Sequence, residues 1–186
     1  MISEIISEHL SIVNKIQQLC LTDLQRFAEL CVDGLKRGNR LYLMGNGGSA
    51  ADCQHLAAEF VGRLHFHKGL PAIALTTDTS VLTAVGNDYG FDAIFTRQIE
   101  ALVNPGDIVI GMSTSGNSGN VTQAIKLAHE MGAVTIGLSG QGGGMLREIC
   151  DLCISVPSDV TARVQEVHIL IGHIVFELVN EVFKDA

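Results

Sequence analysis

Short apolar runs recur along this chain, and each closes on a turn-forming stretch before a segment with helical periodicity. Residues 41–44 lead through glycine into a helical stretch at 49–61, and residues 72–75 are followed by helical stretches at 80–85 and 93–102. Pro105-Gly106-Asp107 turns into an apolar run at 108–112, then a Ser/Gly loop and a helix at 120–131. Residues 134–138 precede a Gly-rich loop and a short helix, and residues 152–156 precede a long closing helix at 162–183. This alternation predicts an α/β three-layer sandwich, a roughly five-stranded parallel sheet covered by helices on both faces. The first 38 residues read as helices, with Ile5, Ile6, Leu10, Val13 and Ile16 near a 3.6-residue period, so an N-terminal helical arm precedes the sheet. With no linker or repeat, one domain is expected over residues 1–186.

Ligands of such sheets bind beyond the carboxyl ends of the strands. Two loops there are built for an anion. Gly45-Asn46-Gly47-Gly48-Ser49 lets the backbone approach a ligand and opens a helix, whose first N–H groups and dipole favour negative charge. Ser113-Thr114-Ser115-Gly116-Asn117-Ser118 offers four hydroxyls and an amide without a cationic side chain. No Walker-type lysine is present, so the pair suits a phosphate that is held rather than transferred. Taken singly, each loop also reads as a Gly/Ser turn with a capping serine. Gly45-x-Gly47-x-x-Ala50 formally matches a dinucleotide fingerprint too, with Asp78 the nearest ribose-binding acid.

A formal net charge of -8 without a Lys/Arg run argues against nucleic acid as the main partner. The first residues carry no signal-type stretch, and the apolar run 169–179 is too short to span a bilayer and is broken by His173 and Glu177. A cytoplasmic protein with no membrane partner is expected. The five cysteines are scattered and read as reduced thiols, and Cys150-x-x-Cys153 lacks the second pair of a structural zinc site.

Groups for proton transfer or metal binding are few. His55 and Glu59 lie four apart on one helix face. Gln165 and His173 share the closing helix, ~12 Å apart along its axis and roughly 80° around it. A single point reached by both needs full extension or a second subunit. His55 and Glu59 also read as a surface ion pair, His168 and His173 as packed imidazoles, and His65-Phe66-His67 as an exposed loop.

Five stretches in order now stand out: Gly45 to Ser49, His55-x-x-x-Glu59, Val85-Gly86-Asn87-Asp88-Tyr89-Gly90, Ser113 to Ser118, and Arg163-x-Gln165-Glu166-x-His168-x-x-x-x-His173. With them the chain resembles the sugar-isomerase (SIS) domain family along essentially its whole length, and most closely its phosphoheptose isomerase branch. The resemblance implies an aldose–ketose isomerase that converts sedoheptulose 7-phosphate to D-glycero-D-manno-heptose 7-phosphate for bacterial surface polysaccharide. It implies Glu59 and His173 as the proton-transfer pair, and one zinc ion per subunit on His55, Glu59, Gln165 and His173. Ser49, Ser113, Thr114, Ser115 and Ser118 would hold the phosphate. Asn46, Gly47, Glu59, Arg63, Asn87, Asp88 and Gln165 would contact the sugar or order its site. It also implies a homotetramer with active sites at subunit interfaces, packed through the N-terminal helices. The similar SIS proteins that bind the bacterial replication initiator without catalysis are the alternative, set apart by whether positions 59 and 173 can move protons.

Overall fold

The computed structural model describes residues 1–62 and 69–184. Two helices, α1 (Ile2–Leu19) and α2 (Leu21–Lys36), precede β1 (Leu41–Gly45) and α3 (Gly48–Gly62). β2 (Ala72–Ala74) leads into α4 (Thr79–Tyr89), a 3-10 turn (Phe91–Ala93) and α5 (Thr96–Leu102). Then come β3 (Ile108–Ser113), α6 (Gly119–Glu130), β4 (Val134–Ser139), α7 (Gly144–Ile149), β5 (Leu152–Ser155) and α8 (Thr161–Phe183). The five strands pair in parallel in the order β2-β1-β3-β4-β5. The chain reverses its direction of travel between β1 and β3, so a crevice opens beyond their carboxyl ends.

Alternation along the strands fills two cores. Leu41, Leu43, Ile108, Ile110, Met112, Ile136 and Leu138 point to the face packed by α2, α3 and α8. Tyr42, Met44 and Val109 point to the opposite face, with Ile99, Val121 and Ile125 from α5 and α6. There Gly111 and Gly137, paired across β3 and β4, give the covering layer room. A Cβ on Gly111 would lie 2.9 Å from Val121, and one on Gly137 would lie 3.0 Å from the Cys150 sulfur. Cys150 and Cys153 are thus packing thiols, and burial pushes both above the usual thiol range.

The N-terminal residues divide into two roles. α2 buries Phe27, Cys31 and Leu35 in the sheet's covering layer, whereas α1 buries only Ile12 and Ile16. α1 is tied to α8 by Arg163, which donates to the Ile5 carbonyl at 3.0 Å and to Glu166, and by His9 at 2.7 Å from Glu166. Ile2, Ile5, Ile6 and Leu10 remain exposed along it. No helix among the described residues is long and apolar enough to cross a membrane.

Asp78 caps α4 by accepting from the Val81 N–H at 2.9 Å, which gives this carboxylate a local role in place of the ribose contact. The helix expected at 93–102 begins at Thr96, because residues 91–93 form the tighter 3-10 turn.

Candidate active site

Because β1 and β3 are neighbours with Gly45 beside Met112, the two anion loops emerge side by side. A reciprocal amide pair locks them: Asn46 donates to Asn120 at 2.8 Å, and Asn120 donates to Asn46 at 3.0 Å. In the second loop the Ser113 hydroxyl lies 2.9 Å from that of Ser118 and 3.3 Å from that of Ser115. These hydroxyls gather at the first turn of α6, which no side chain caps. The positive end of the α6 dipole therefore faces the cluster. Ser49 is buried one residue into α3, and Thr114 is half-buried at the end of β3. Asn87 and Asp88 stand exposed on the last turn of α4 and bond to each other at 2.7 Å. Asp92, just beyond them, comes within 3.2 Å of where a Cβ on Gly119 of α6 would be.

The Gly-rich loop after β4 braces the second loop from behind. Gly116 has φ +68°, and a Cβ there would lie 2.0 Å from the Gly143 carbonyl oxygen. The Leu146 N–H donates to the Gly116 carbonyl at 3.1 Å, and the Met145 N–H to the Asn117 side chain at 2.9 Å. Gly116→Ala is therefore expected to displace the hydroxyl cluster, costing about 1–3 kcal/mol of backbone strain. Inhibition by inorganic phosphate should weaken by roughly tenfold, equivalent to ~1.4 kcal/mol. An unchanged inhibition constant would show that the brace does not shape the anion site.

The second centre lies between α3 and α8. His55 and Glu59 project from one face of α3, and His173 reaches them from α8 of the same chain. The Nε2 atoms of His55 and His173 are 2.9 Å apart with the rings edge to face, and Glu59 Oε1 is 3.7 Å from His55 Nε2. One donor atom from each of the three lies within 4.8 Å of the other two. Donors ~2.1 Å from a tetrahedral ion stand roughly 3.4 Å apart, so the measured separations bracket what one metal ion needs. Two imidazole nitrogens and one carboxylate oxygen form a donor set of catalytic-zinc type, with further positions left for water or substrate. Glu59 is only 7% exposed, which rules out the surface-pair reading of His55 and Glu59. Asp52, one turn earlier, is half-buried; burial raises its carboxyl above the usual range, and His55 opposes that.

Two glycines bring these helices together. A Cβ on Gly172 would lie 2.4 Å from Leu56, so α8 crosses α3 closely at the residue before His173. A Cβ on Gly48 would lie 2.5 Å from the Gln165 amide, so Gln165 packs onto the start of α3, at the first loop. Gln165 and His173 thus meet different points of one helix within a single chain. Gly172 and Asn120 were not singled out in the sequence. A glycine inside an apolar helix is a signal of close approach, whereas Asn120 gives none. Arg63 and the His65-Phe66-His67 segment lie outside the described residues.

The SIS domain model matches residues 6–140. A phosphoheptose isomerase of Geotalea daltonii is 55% identical over 185 residues, 97% of this chain and 96% of the relative. One from Geobacter sulfurreducens is 62% identical over 156 residues, 83% of this chain and 82% of the relative. Among solved structures, the phosphoheptose isomerase of Neisseria gonorrhoeae is 41% identical with a TM-score of 0.92, and the match covers 97% of both chains. With its loops, helix crossing and His/Glu/His cluster as described, the chain belongs to the SIS domain family, within the phosphoheptose isomerases.

Proposed function

We propose that the protein isomerises sedoheptulose 7-phosphate to D-glycero-D-manno-heptose 7-phosphate, as a step toward bacterial surface polysaccharide. The observation that carries this reading is the meeting of Glu59 and His173 on the helices that also border the anion loops. Seven residues of α3 separate Gly48 from His55, ~10 Å of helix rise. That span is of the order of an extended seven-carbon sugar phosphate. The serine-lined loop holds the phosphate, and the sugar extends along α3 toward the cluster. Asn46, Gly47, Asn87, Asp88, Arg63 and Gln165 are assigned to the sugar or to the order of its site.

The reaction moves the carbonyl from C2 to C1. A base removes a proton from C1 and the C2 oxygen gains one, giving an enediol. The C1 oxygen then loses its proton as C2 gains one, so the net change is a hydrogen shift with no redox partner. Glu59 and His173 carry these transfers, one on each side of the carbon pair. The phosphate grip, far from the reacting carbons, supplies orientation. We assign zinc to the His55, Glu59 and His173 donors; Gln165, expected as a fourth ligand, packs at Gly48 and is assigned to the sugar alone. A bound zinc ion supplies polarisation of the sugar's carbonyl oxygen.

One SIS domain over residues 1–186, working as a cytoplasmic homotetramer with active sites at subunit interfaces, completes the reading. The exposed isoleucines of α1 supply apolar area for that contact. The replication-initiator reading is disfavoured by the presence of proton-transfer groups at both positions 59 and 173.

Incubation with sedoheptulose 7-phosphate in deuterated water tests the assignment. Deuterium is expected at C2 of the product, and at C1 of ketose that has passed through the enediol and returned. A chelator should slow the exchange and added zinc should restore it. Tight binding without exchange would refute isomerisation and leave a sugar-phosphate sensor.

A further inference from the structure

His168 lies on α8 between Gln165 and His173, and its ring is fully enclosed at 0% exposure. Burial lowers the imidazole to a pKa of about 4, against the raising effect of its bond to the Ser139 carbonyl. The ring is therefore neutral near pH 7. Its Nε2 lies 3.1 Å from the Ser139 carbonyl oxygen, which can only accept, so the single ring proton sits on Nε2. Nδ1 is left as a bare lone pair, buried and without a hydrogen-bond partner. A leucine would fill this space without stranding an acceptor. The imidazole's advantage is the one bond it donates.

That bond ends on a junction. The Ser139 carbonyl also accepts from the Val156 N–H at 2.9 Å. The N–H of the same peptide group, that of Gly140, donates to the Thr114 carbonyl at 3.0 Å. A Cβ on Gly140 would lie 2.3 Å from that oxygen, so the approach requires glycine. Ser139 pairs with Ser113 across β4 and β3, which seats the junction beside the first hydroxyl of the anion loop. A continuous chain thus runs from the His168 N–H through one polarised peptide to the backbone of Thr114.

We propose that His168 is a positioning residue: through the Ser139–Gly140 peptide it fixes α8, with Gln165 and His173, relative to the loop that grips the phosphate. Its consequence for turnover rests on the isomerase reading. The substrate is held at one end and reacts at the other, so an error in the spacing of α8 and the loop falls on the reacting carbons. Each half of the site stays intact by itself.

His168→Leu and His168→Gln test the link. In the Leu variant, kcat/KM for sedoheptulose 7-phosphate should fall by roughly tenfold or more. Competitive inhibition by inorganic phosphate, which probes the loop alone, should stay within about threefold. The Gln variant, whose amide can donate from near the Nε2 position, should recover most of the loss. Amide exchange at Gly140 should be about tenfold faster in the Leu variant than in the parent. The proposal is overturned if the Leu variant keeps the parent's kcat/KM, if phosphate inhibition weakens in step with it, or if Gln is no better than Leu. Should the Leu variant not fold, His168→Asn, a shorter donor, takes its place with the same expectations. A parent that does not turn over the sugar refutes the isomerase reading, and Gly140 exchange then decides the link: equal rates in parent and variant overturn it.

Discussion

Glu59→Gln should lower kcat for isomerisation by about 10³-fold, within the range for loss of a general acid–base group. The substitution is nearly isosteric at a position only 7% exposed, between the packed residues Leu56 and Phe60. It leaves the shape of α3 unchanged while removing the group that accepts a proton. Replacing a buried carboxyl by a neutral amide also removes a desolvation cost, so the melting temperature should change little. Glu59 is a metal donor as well as the proposed base, and the two losses are separable. Zinc content measured on the Gln variant, with turnover assayed at saturating zinc, isolates proton transfer. Substrate affinity should hold, since the anion loops are remote from residue 59. A saturated Gln variant within tenfold of the parent's kcat would remove Glu59 from the chemistry.

What the sequence made legible, and what it did not, follows from the range of the interactions. The two anion loops could be read because glycine and clustered hydroxyls have local causes: φ +56° at Gly47, φ +68° at Gly116, and an uncapped helix start. Parallel pairing followed from the alternation of strand and helix. That β1 lies beside β3 did not follow, since strand order is set by packing across the whole sheet, and with it went the Asn46–Asn120 lock. The spacing of Gln165 and His173 raised a difficulty that rested on one assumption, that both side chains reach a single point from one straight helix. In the structure Gln165 lies over Gly48 while His173 joins His55 and Glu59 further along α3. Periodicity describes one helix at a time, and this groove belongs to two. His168 illustrates the same limit: its packed-imidazole reading was sound, but the carbonyl it meets is 29 residues away on β4.

The second large effect is expected at Gly172, which touches no reacting group. Glycine inside a helix costs about 1 kcal/mol relative to alanine, so propensity alone favours replacing it. The crossing with α3 opposes that. A Cβ would meet the Leu56 side chain at 2.4, 2.5 and 3.0 Å, and overpacking of this kind costs about 1–3 kcal/mol. For Gly172→Ala the propensity gain offsets part of that cost, leaving about 0–2 kcal/mol, so stability should move by less than the overpacking figure suggests. Activity has no such compensation. Leu56 neighbours His55, and Gly172 neighbours His173, so pushing the helices apart widens the 2.9 Å approach of the two imidazoles. A shift of ~1 Å there should lower kcat by roughly 10²-fold. Gly172→Val, bulkier and a poorer helix former, should lose both stability and turnover. The informative result is the alanine variant: a melting temperature near the parent's with kcat severely reduced and zinc affinity weakened. Parental kcat in both variants would mean that the helix crossing tolerates the added atoms and that the cluster is not held by close approach at Gly172.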